Sequence, residues 1–171
     1  MNVSIRYSTF LPVLMEAMNR TTGDVLELGP GVFSTPVLHW MCKTKKRGLV
    51  TIENNEMWFN FCRKYYVFGH RDPVHHRFIF TKNWDDADRE ICKAWDVALV
   101  DHSPSDRRVV EIRKLANLAK YIIIHDADEK NEPNYHYSTI FPLFKYRYDF
   151  TEADPKTIVL SNLVDLKDFK V

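Results

Sequence analysis

Short apolar runs recur along the chain, and segments with helical spacing separate them. The runs are rich in β-branched residues and do not alternate with polar positions, which is typical of strands buried on both faces. Between them, apolar residues recur three and four positions apart, as on the buried side of a helix. The seven runs span residues 25–29, 48–53, 77–81, 96–101, 121–126, 144–150 and 157–164. The pattern therefore predicts alternating strands and helices.

Strands that alternate with helices form a parallel sheet with helices on both faces, which is the α/β class. The last two runs differ, because only the short polar segment 151–156 joins them. A parallel crossover does not fit in that length, so this pair is expected to be an antiparallel hairpin. The expected sheet has seven strands, mostly parallel, and ends in a C-terminal hairpin.

The chain length predicts one domain. At 171 residues, positions 1–171 suffice for a single core, and 1–22 are expected to form an N-terminal helical segment. Arg6, Glu16 and Arg20 interrupt the apolar residues of this segment, which is unlike a signal peptide or a membrane span. The expectation is therefore a cytoplasmic protein that does not enter membranes.

Charge and cysteine content exclude some classes of partner and site. The formal net charge is +1, which gives no overall field to draw the protein to nucleic acid. The basic cluster at residues 43–47 is interpreted as the solvated end of a helix. Cys42, Cys62 and Cys92 are widely spaced, so they are expected to be reduced core thiols rather than disulfides or zinc ligands.

The clearest motif is VLELGPGVFST at residues 25–35, which runs from a strand through a glycine turn into a helix. Gly29 and Gly31 are expected to adopt positive φ and to let a ligand approach the backbone. Glu53, at the end of the next strand, can accept hydrogen bonds from ribose hydroxyls. Helix N-caps are predicted at Thr35, at Asn55, and at Ser103 within a capping box. Without a ligand, the glycines would simply form a tight turn.

The turn ELGPG, the strand ends IE and VALVD, and the terminal hairpin together resemble the class I S-adenosylmethionine-dependent methyltransferases. The resemblance covers nearly the whole chain and implies a Rossmann-like fold. It also implies that S-adenosylmethionine is the cofactor. The residues expected at the cofactor are Glu27, Gly29, Pro30, Gly31 and Ser34 at its amino-acid end, Glu53 and Asn54 at the ribose, Trp84 and Asp85 at the adenine, and Asp101.

Two features qualify this resemblance. The family usually has a third glycine, whereas this chain continues with Phe33, Ser34 and Thr35. Ser34 stands where a dinucleotide-binding motif has its last glycine, which disfavours a nicotinamide oxidoreductase. Trp84 has an alternative role as an ordinary packing residue of the core or the surface.

Polar side chains after the fourth and fifth strands are the candidates for catalysis. Asp101, His102, His125 and Asp126 are expected near the methyl group, where one of them would remove a proton from the acceptor. Helix capping is the alternative role for each. The two carboxylates also resemble the metal-dependent O-methyltransferases, which hold Mg²⁺ there, although Ala127 departs from that pattern. The sequence DHSP lacks the DPPY motif of enzymes that methylate adenine N6 or cytosine N4.

The predicted function is methyl transfer to an unidentified acceptor, with O-methylation favoured. A small-molecule acceptor is expected, with nucleic acid or protein left open, and Tyr135 and His136 are placed to touch it. Because so small a domain has few insertions, the N-terminal segment, short loops or a second subunit of a homo-oligomer must complete the pocket. The alternative is a nonenzymatic sensor or interaction module that binds S-adenosylmethionine or a nucleotide. Phosphate-loop, GxSxG and HExxH motifs are absent from the sequence.

Overall fold

The computed structural model describes residues 4–65 and 75–171, and its centre is a seven-stranded sheet. The strands are β1 Val25–Leu28, β2 Leu49–Glu53, β3 His76–Phe80, β4 Trp95–Val100, β5 Ala119–Ile124, β6 Tyr146–Phe150 and β7 Thr157–Ser161. Their order is β3-β2-β1-β4-β5-β7-β6. The first five are parallel, and β7 runs antiparallel to both β5 and β6. The predicted α/β class, the mostly parallel sheet and the C-terminal hairpin are confirmed.

Helices connect the strands and cover both faces of the sheet. They are α1 Leu11–Asn19, α2 Ser34–Thr44, α3 Glu56–Tyr65, α4 Asp88–Ile91, α5 Arg108–Leu115 and α6 Glu132–Tyr135. A 3-10 turn, Ile5–Ser8, precedes α1. No helix in residues 4–65 or 75–171 has both the length and the apolar character needed to cross a bilayer.

Two apolar clusters form the core, one on each face of the sheet. On one face, Leu14 of α1 and Leu38 of α2 pack with Leu99 of β4, and all three are fully buried. On the other face, Ile112 of α5 packs with Leu26 and Ile122. Full burial of a side chain of this size contributes about 1.5–3 kcal/mol. Apolar residues that face alternately up and down along each strand thus hold both helical layers.

The buried face of α3 differs from the prediction. The spacing of Met57, Phe61 and Tyr65 predicts that they face the core, yet Met57 is 80% exposed and Tyr65 is 50% exposed. Phe59 and Cys62 are buried instead. Phe59 packs against two phenylalanine rings of β3, and these contacts set the rotation of the helix. Cys42 and Cys62 are buried as expected, but the prediction of a core thiol is wrong for Cys92, which is exposed.

One of the three predicted helix caps is confirmed. The side chain of Asn55 accepts the backbone N–H of Trp58 at 3.0 Å at the start of α3. Thr35 is not an N-cap, because α2 begins one residue earlier and Thr35 lies inside its first turn. The capping box at Ser103 is also wrong, since the 3-10 turn Ser105–Arg107 has no side-chain cap.

The strand order reverses between β1 and β4. The chain leaves β1 toward β2 on one side and leaves β4 toward β5 on the other. The connections therefore diverge and leave a crevice beyond the carboxyl ends of these two central strands, which is where open α/β sheets bind ligands.

Candidate active site

Gly29 and Gly31 serve different purposes at the end of β1. Gly29 has φ +86°, and a Cβ there would lie 2.5 Å from the carbonyl oxygen of Asp101. Only glycine fits at position 29, because the ends of β1 and β4 approach each other closely there. Gly29 is the one glycine with positive φ in residues 4–65 and 75–171, so the expectation of positive φ at Gly31 is wrong. A Cβ on Gly31 would lie 2.9 Å from the hydroxyl oxygen of Ser34. Apart from this residue, no atom in the described part of the chain, beyond the residues adjacent to Gly31, lies within 4 Å of that position.

Thr35 links the glycine turn to Glu27. Its hydroxyl accepts the backbone N–H of Gly31 at 3.0 Å and lies 3.0 Å from Oε1 of Glu27, to which it donates. Pro30 is held from the other side, because its carbonyl accepts the indole N–H of Trp58 at 2.8 Å. The turn is thus fixed at two points and leaves the backbone of Gly31 accessible.

Glu27 is fully buried beneath α2 rather than exposed in the crevice. Besides Thr35, the hydroxyl of Thr51 donates to its Oε2 at 2.7 Å. Burial raises the pKa of Glu27 to about 7, although the hydroxyls of Ser34, Thr51 and Thr35 act in the opposite direction. Thr51 also lies 2.8 Å from Nε2 of His76, so a buried polar chain extends from the turn toward β3.

Glu53 stands at the end of β2 with its carboxylate fixed by the backbone. Its Oε1 accepts the N–H groups of Asn54 at 2.9 Å and Asn55 at 2.6 Å. Burial raises the pKa of Glu53, and these two hydrogen bonds oppose the rise. The arrangement holds one carboxylate oxygen in place at the crevice edge, while Asn54 contributes its backbone.

The two residues predicted at the adenine have different environments. Trp84 is only 3% exposed, and its indole N–H donates to the carbonyl of Ser103 at 2.9 Å. This burial favours the packing role for Trp84. Asp85 is largely exposed and forms an ion pair with Arg107.

Arg108 lies between the carboxylates that follow β4 and β5. Its Nη2 is 2.9 Å from Oδ1 of Asp101, and its Nη1 is 3.9 Å from Oδ2 of Asp126. The guanidinium is buried, and its Nε donates to the carbonyl of His102 at 2.7 Å. Burial acts to raise the pKa of Asp101, but Arg108 and His125 outweigh it and hold that pKa below its usual value. The sequence therefore places two acids together, and a buried cation relieves their repulsion.

His125 is held by acceptors at both ring nitrogens. Its Nδ1 lies 3.5 Å from Asp101 and 3.8 Å from Asp126, and its Nε2 lies 3.0 Å from the hydroxyl of Thr9. That hydroxyl is also 3.0 Å from the carbonyl of Pro155, to which it can donate, so it accepts from the imidazole. Burial acts to lower the pKa of His125, but Asp101 raises it above its ordinary value. A protonated ring fits this environment better than a proton acceptor does.

His102 follows Asp101 in the loop after β4, but its side chain contacts different residues from those around Asp101. It is buried, its ring packs 4.0 Å from the Trp84 ring by centroids, and its Nε2 is 3.3 Å from Oε2 of Glu111. Burial lowers the pKa of His102, and the neighbouring Glu111 carboxylate acts in the opposite direction. The structure thus brings together Asp101, His125 and Asp126 but separates His102 from them.

A pocket of about 290 Å³ opens beside this cluster. Asp126 and Tyr135 lie at its inner end, where the phenol of Tyr135 donates to Oδ2 of Asp126 at 3.0 Å. Arg6, Tyr7 and other residues of the N-terminal segment form another wall. Asp126 has φ +58°, a conformation that costs a non-glycine residue free energy and is concentrated at functional sites.

Sequence reasoning missed three residues of this site. Arg108 lies seven positions beyond Asp101 in a helix that reads as an ordinary amphipathic one, and its function depends on the turn that precedes it. Thr9 contacts residues that are distant in the sequence, and Thr35 is predicted only as a helix cap, without its contacts to Gly31 and Glu27. The signal that was available is the arrival of two acids at neighbouring strand ends, which demands a compensating cation.

No protein-family model matches the sequence, and no curated protein sequence matches it. Solved structures do match. The N-terminal domain of human METTL16, crystallised with S-adenosylhomocysteine, is 8% identical with a TM-score of 0.65, over 95% of this chain and 72% of that one. A putative O-methyltransferase from Klebsiella pneumoniae is 15% identical with a TM-score of 0.67, over 94% and 82%. Spermidine synthase from Thermotoga maritima is 17% identical with a TM-score of 0.58, over 86% and 56%.

At these identities the similarity concerns the fold. The matches cover most of this chain, which includes the seven-stranded sheet and its terminal antiparallel pair. The presence of a spermidine synthase among the matches means that the fold alone does not decide which group is transferred. The chain has the Rossmann-like fold of the class I S-adenosylmethionine-dependent methyltransferases.

Proposed function

We propose that this protein is an S-adenosylmethionine-dependent methyltransferase that methylates a hydroxyl of a small molecule. One observation carries the proposal: a glycine backbone open to a ligand and a carboxylate cluster lie at the ends of adjacent strands, on either side of the reversal in strand order. The first feature suits a cofactor without phosphates, and the second suits an acceptor that must lose a proton.

The residues at the crevice fit S-adenosylmethionine. Gly31 leaves space that any side chain would fill, and Glu53 presents a carboxylate oriented by two backbone amides. Gly31 and Pro30 would support the amino-acid end of the cofactor, and Glu53 would accept from its ribose hydroxyls. Ser34 and Asn54 would line these two ends. S-adenosylmethionine, when bound, supplies an electrophilic methyl group.

Asp126 is the residue that we assign to the acceptor. Its carboxylate lines the pocket, and the neighbouring Tyr135 hydroxyl orients one of its oxygens. Oδ1 would accept the proton of the acceptor hydroxyl. Asp101 is committed to Arg108 and His125, so it would act by fixing their positive charge beside Asp126. His125 would position this cluster, because both of its nitrogens already face acceptors.

The same cluster suits Mg²⁺ poorly. One oxygen of each aspartate and a nitrogen of His125 lie within 4.8 Å of one another. Mg²⁺ prefers oxygen ligands, however, and here a buried guanidinium already neutralises the carboxylates. We therefore assign no role to a metal.

Calorimetry with S-adenosylhomocysteine and with NAD tests the cofactor assignment. We expect micromolar binding of S-adenosylhomocysteine and no detectable binding of NAD, because the turn lacks the open path to a helix N-terminus that a pyrophosphate needs. Tight NAD binding without heat from S-adenosylhomocysteine would refute the proposal. Binding of S-adenosylhomocysteine without turnover of any hydroxylated acceptor would instead favour a nonenzymatic sensor.

A further inference from the structure

The pocket beside Asp126 has a charge pattern that can discriminate among acceptors. Of its charged lining residues, Arg6 and Lys130 are cationic and lie on exposed parts of the chain, whereas Asp126 is anionic and only 26% exposed. The two cations share one carboxylate, that of Asp154, with distances of 3.1 Å from Arg6 and 3.0 Å from Lys130. Asp154 and the neighbouring Asp128 lie outside the pocket lining, so the residues that line the pocket carry two positive charges and one negative charge.

A group of charged and polar side chains lies behind the inner end of the pocket. The carboxylates of Asp101 and Asp126 face the guanidinium of Arg108 and the imidazole of His125. Asp126 keeps oxygens that can accept a hydrogen bond from a bound hydroxyl, since the Tyr135 phenol uses only one of their lone pairs. The pocket thus offers an acceptor at its inner end and excess positive charge at its rim.

The size and the walls of the pocket limit the ligand further. A volume of about 290 Å³ is just below the range for small-molecule sites, which begins at about 300 Å³. Tyr7 and Tyr135 are among the lining residues, so a flat apolar body has aromatic side chains against which to pack. A molecule of one ring, rather than a polymer, matches these dimensions.

Resting on the proposed methyltransferase function, we infer that this pocket binds the acceptor and selects a small hydroxylated acid. Its hydroxyl donates to Asp126, its body packs between the tyrosine rings, and its carboxylate or other acidic group binds Arg6 and Lys130 in competition with Asp154. The positions of these residues assign the N-terminal segment and the loop after β5 to acceptor selection.

Three matched probes test the inference: 4-hydroxybenzoate, phenol and tyramine share the phenol and differ in the charge at its far end. We expect 4-hydroxybenzoate to bind about tenfold more tightly than phenol, and tyramine to bind most weakly. Arg6 and Lys130 attract the carboxylate of the first probe and repel the ammonium group of the last, and their partial exposure limits the size of the effect. Binding is measured by calorimetry or by ligand-observed NMR on the whole protein. Equal affinity for 4-hydroxybenzoate and phenol, tighter binding of tyramine, or binding of none of the three would overturn the inference.

Variants connect the preference to the named residues. Arg6→Gln and Lys130→Gln should each weaken 4-hydroxybenzoate about threefold to fivefold while leaving phenol unchanged, because each removes one exposed charge contact. Lys167→Gln, which makes the same change of charge outside the pocket lining, is the control. Asp126→Asn should weaken all three probes, since it removes the shared hydroxyl acceptor. Equal effects of Lys130→Gln and Lys167→Gln would show a general effect of charge and would contradict the inference.

The series is run both with and without S-adenosylhomocysteine. This separates the two hypotheses, because absence of S-adenosylhomocysteine binding contradicts the proposed function while the probe order still reports on the pocket. Conversely, normal S-adenosylhomocysteine binding with the wrong probe order refutes only the acceptor class. Unchanged melting temperatures of the variants confirm that the changes in affinity are local.

Discussion

The hydroxyl of Thr9 lies 3.0 Å from Nε2 of His125, so the N-terminal segment is joined directly to the end of β5. The same hydroxyl reaches the carbonyl of Pro155 in the C-terminal hairpin. Three parts of the chain therefore meet at one side chain. Because this contact occupies one nitrogen of His125 and Asp101 faces the other, we assign the imidazole a positioning role.

The protonation of His125 follows from this geometry. We expect NMR titration to give its pKa above the ordinary value, because Asp101 outweighs the burial that lowers it. Asp101→Asn should lower that pKa, since the principal anionic partner is lost. Stability due to His125 is present below its unfolded-state pKa and is lost as pH rises through the raised folded value. A pKa below the ordinary value in the wild-type protein would contradict the positioning role.

The two glycines of the turn should respond differently to substitution. Gly31→Val should abolish binding of S-adenosylhomocysteine with little change in melting temperature, because the added branches enter space next to a movable hydroxyl. Gly29→Val should destabilise the fold by more than about 2 kcal/mol, since it forces a β-branched residue to φ +86° against the backbone of β4. Calorimetry and thermal unfolding check both. Unfolding of Gly31→Val would favour a purely structural turn.

Removal of Arg108 should be costly because it leaves two neighbouring carboxylates without their buried cation. We expect Arg108→Met to lose about 3 kcal/mol of unfolding free energy at neutral pH. Asp101 has a lowered folded-state pKa, so its stabilising contribution is present above the unfolded-state value and disappears as pH falls through the folded one. The difference between wild type and variant should therefore shrink below about pH 4. Arg113→Gln, at an exposed hydrogen bond to Thr139, is the control.

Glu27 should make the protein less stable as pH rises. Its folded-state pKa of about 7 exceeds the ordinary 4.5, so its contribution is present below 4.5 and is lost as pH rises toward 7. Glu27→Gln should match wild type near pH 5 and exceed it by up to about 3 kcal/mol at pH 8. Urea unfolding at both values measures this, with the exposed Glu56→Gln as control. Equal stabilities at pH 8 would show that Glu27 is not a buried acid with a raised pKa.

Chelation should leave catalysis unchanged. Since Arg108 already supplies the positive charge beside Asp101 and Asp126, we expect EDTA not to reduce turnover of an identified acceptor. Asp126→Asn should reduce kcat by about 100-fold, the usual scale for losing a general base. The affinity for S-adenosylhomocysteine should change little in the same variant. Loss of activity in EDTA and its recovery with Mg²⁺ would show that a metal is required after all.

The sequence predicts the sheet well and the site in part, for a physical reason. The location of each strand depends on a local apolar run, and each of the seven strands overlaps one of the seven predicted runs. The approach of Asp101 to Asp126 also follows from topology, because parallel strands end at the same edge. The environment of His102 could not be predicted, because it depends on tertiary contacts with Trp84 and Glu111. Arg108 and Thr9 depend on tertiary contacts. The cofactor residues, a cytoplasmic location and a homo-oligomer stay predictions.

The pocket beside Asp126 combines Arg6 and Tyr7 with Pro155, nearly 150 positions apart in the sequence. During synthesis, the five parallel strands emerge before the hairpin that carries Pro155. β5 then has an open edge until β7 pairs with it, and Ile122 to Ile124 on that edge are strongly apolar. A chain without this hairpin would therefore expose the unpaired apolar edge of β5 and would lack the Pro155 wall of the pocket. The same C-terminal hairpin therefore covers the edge of β5 and completes the pocket beside Asp126.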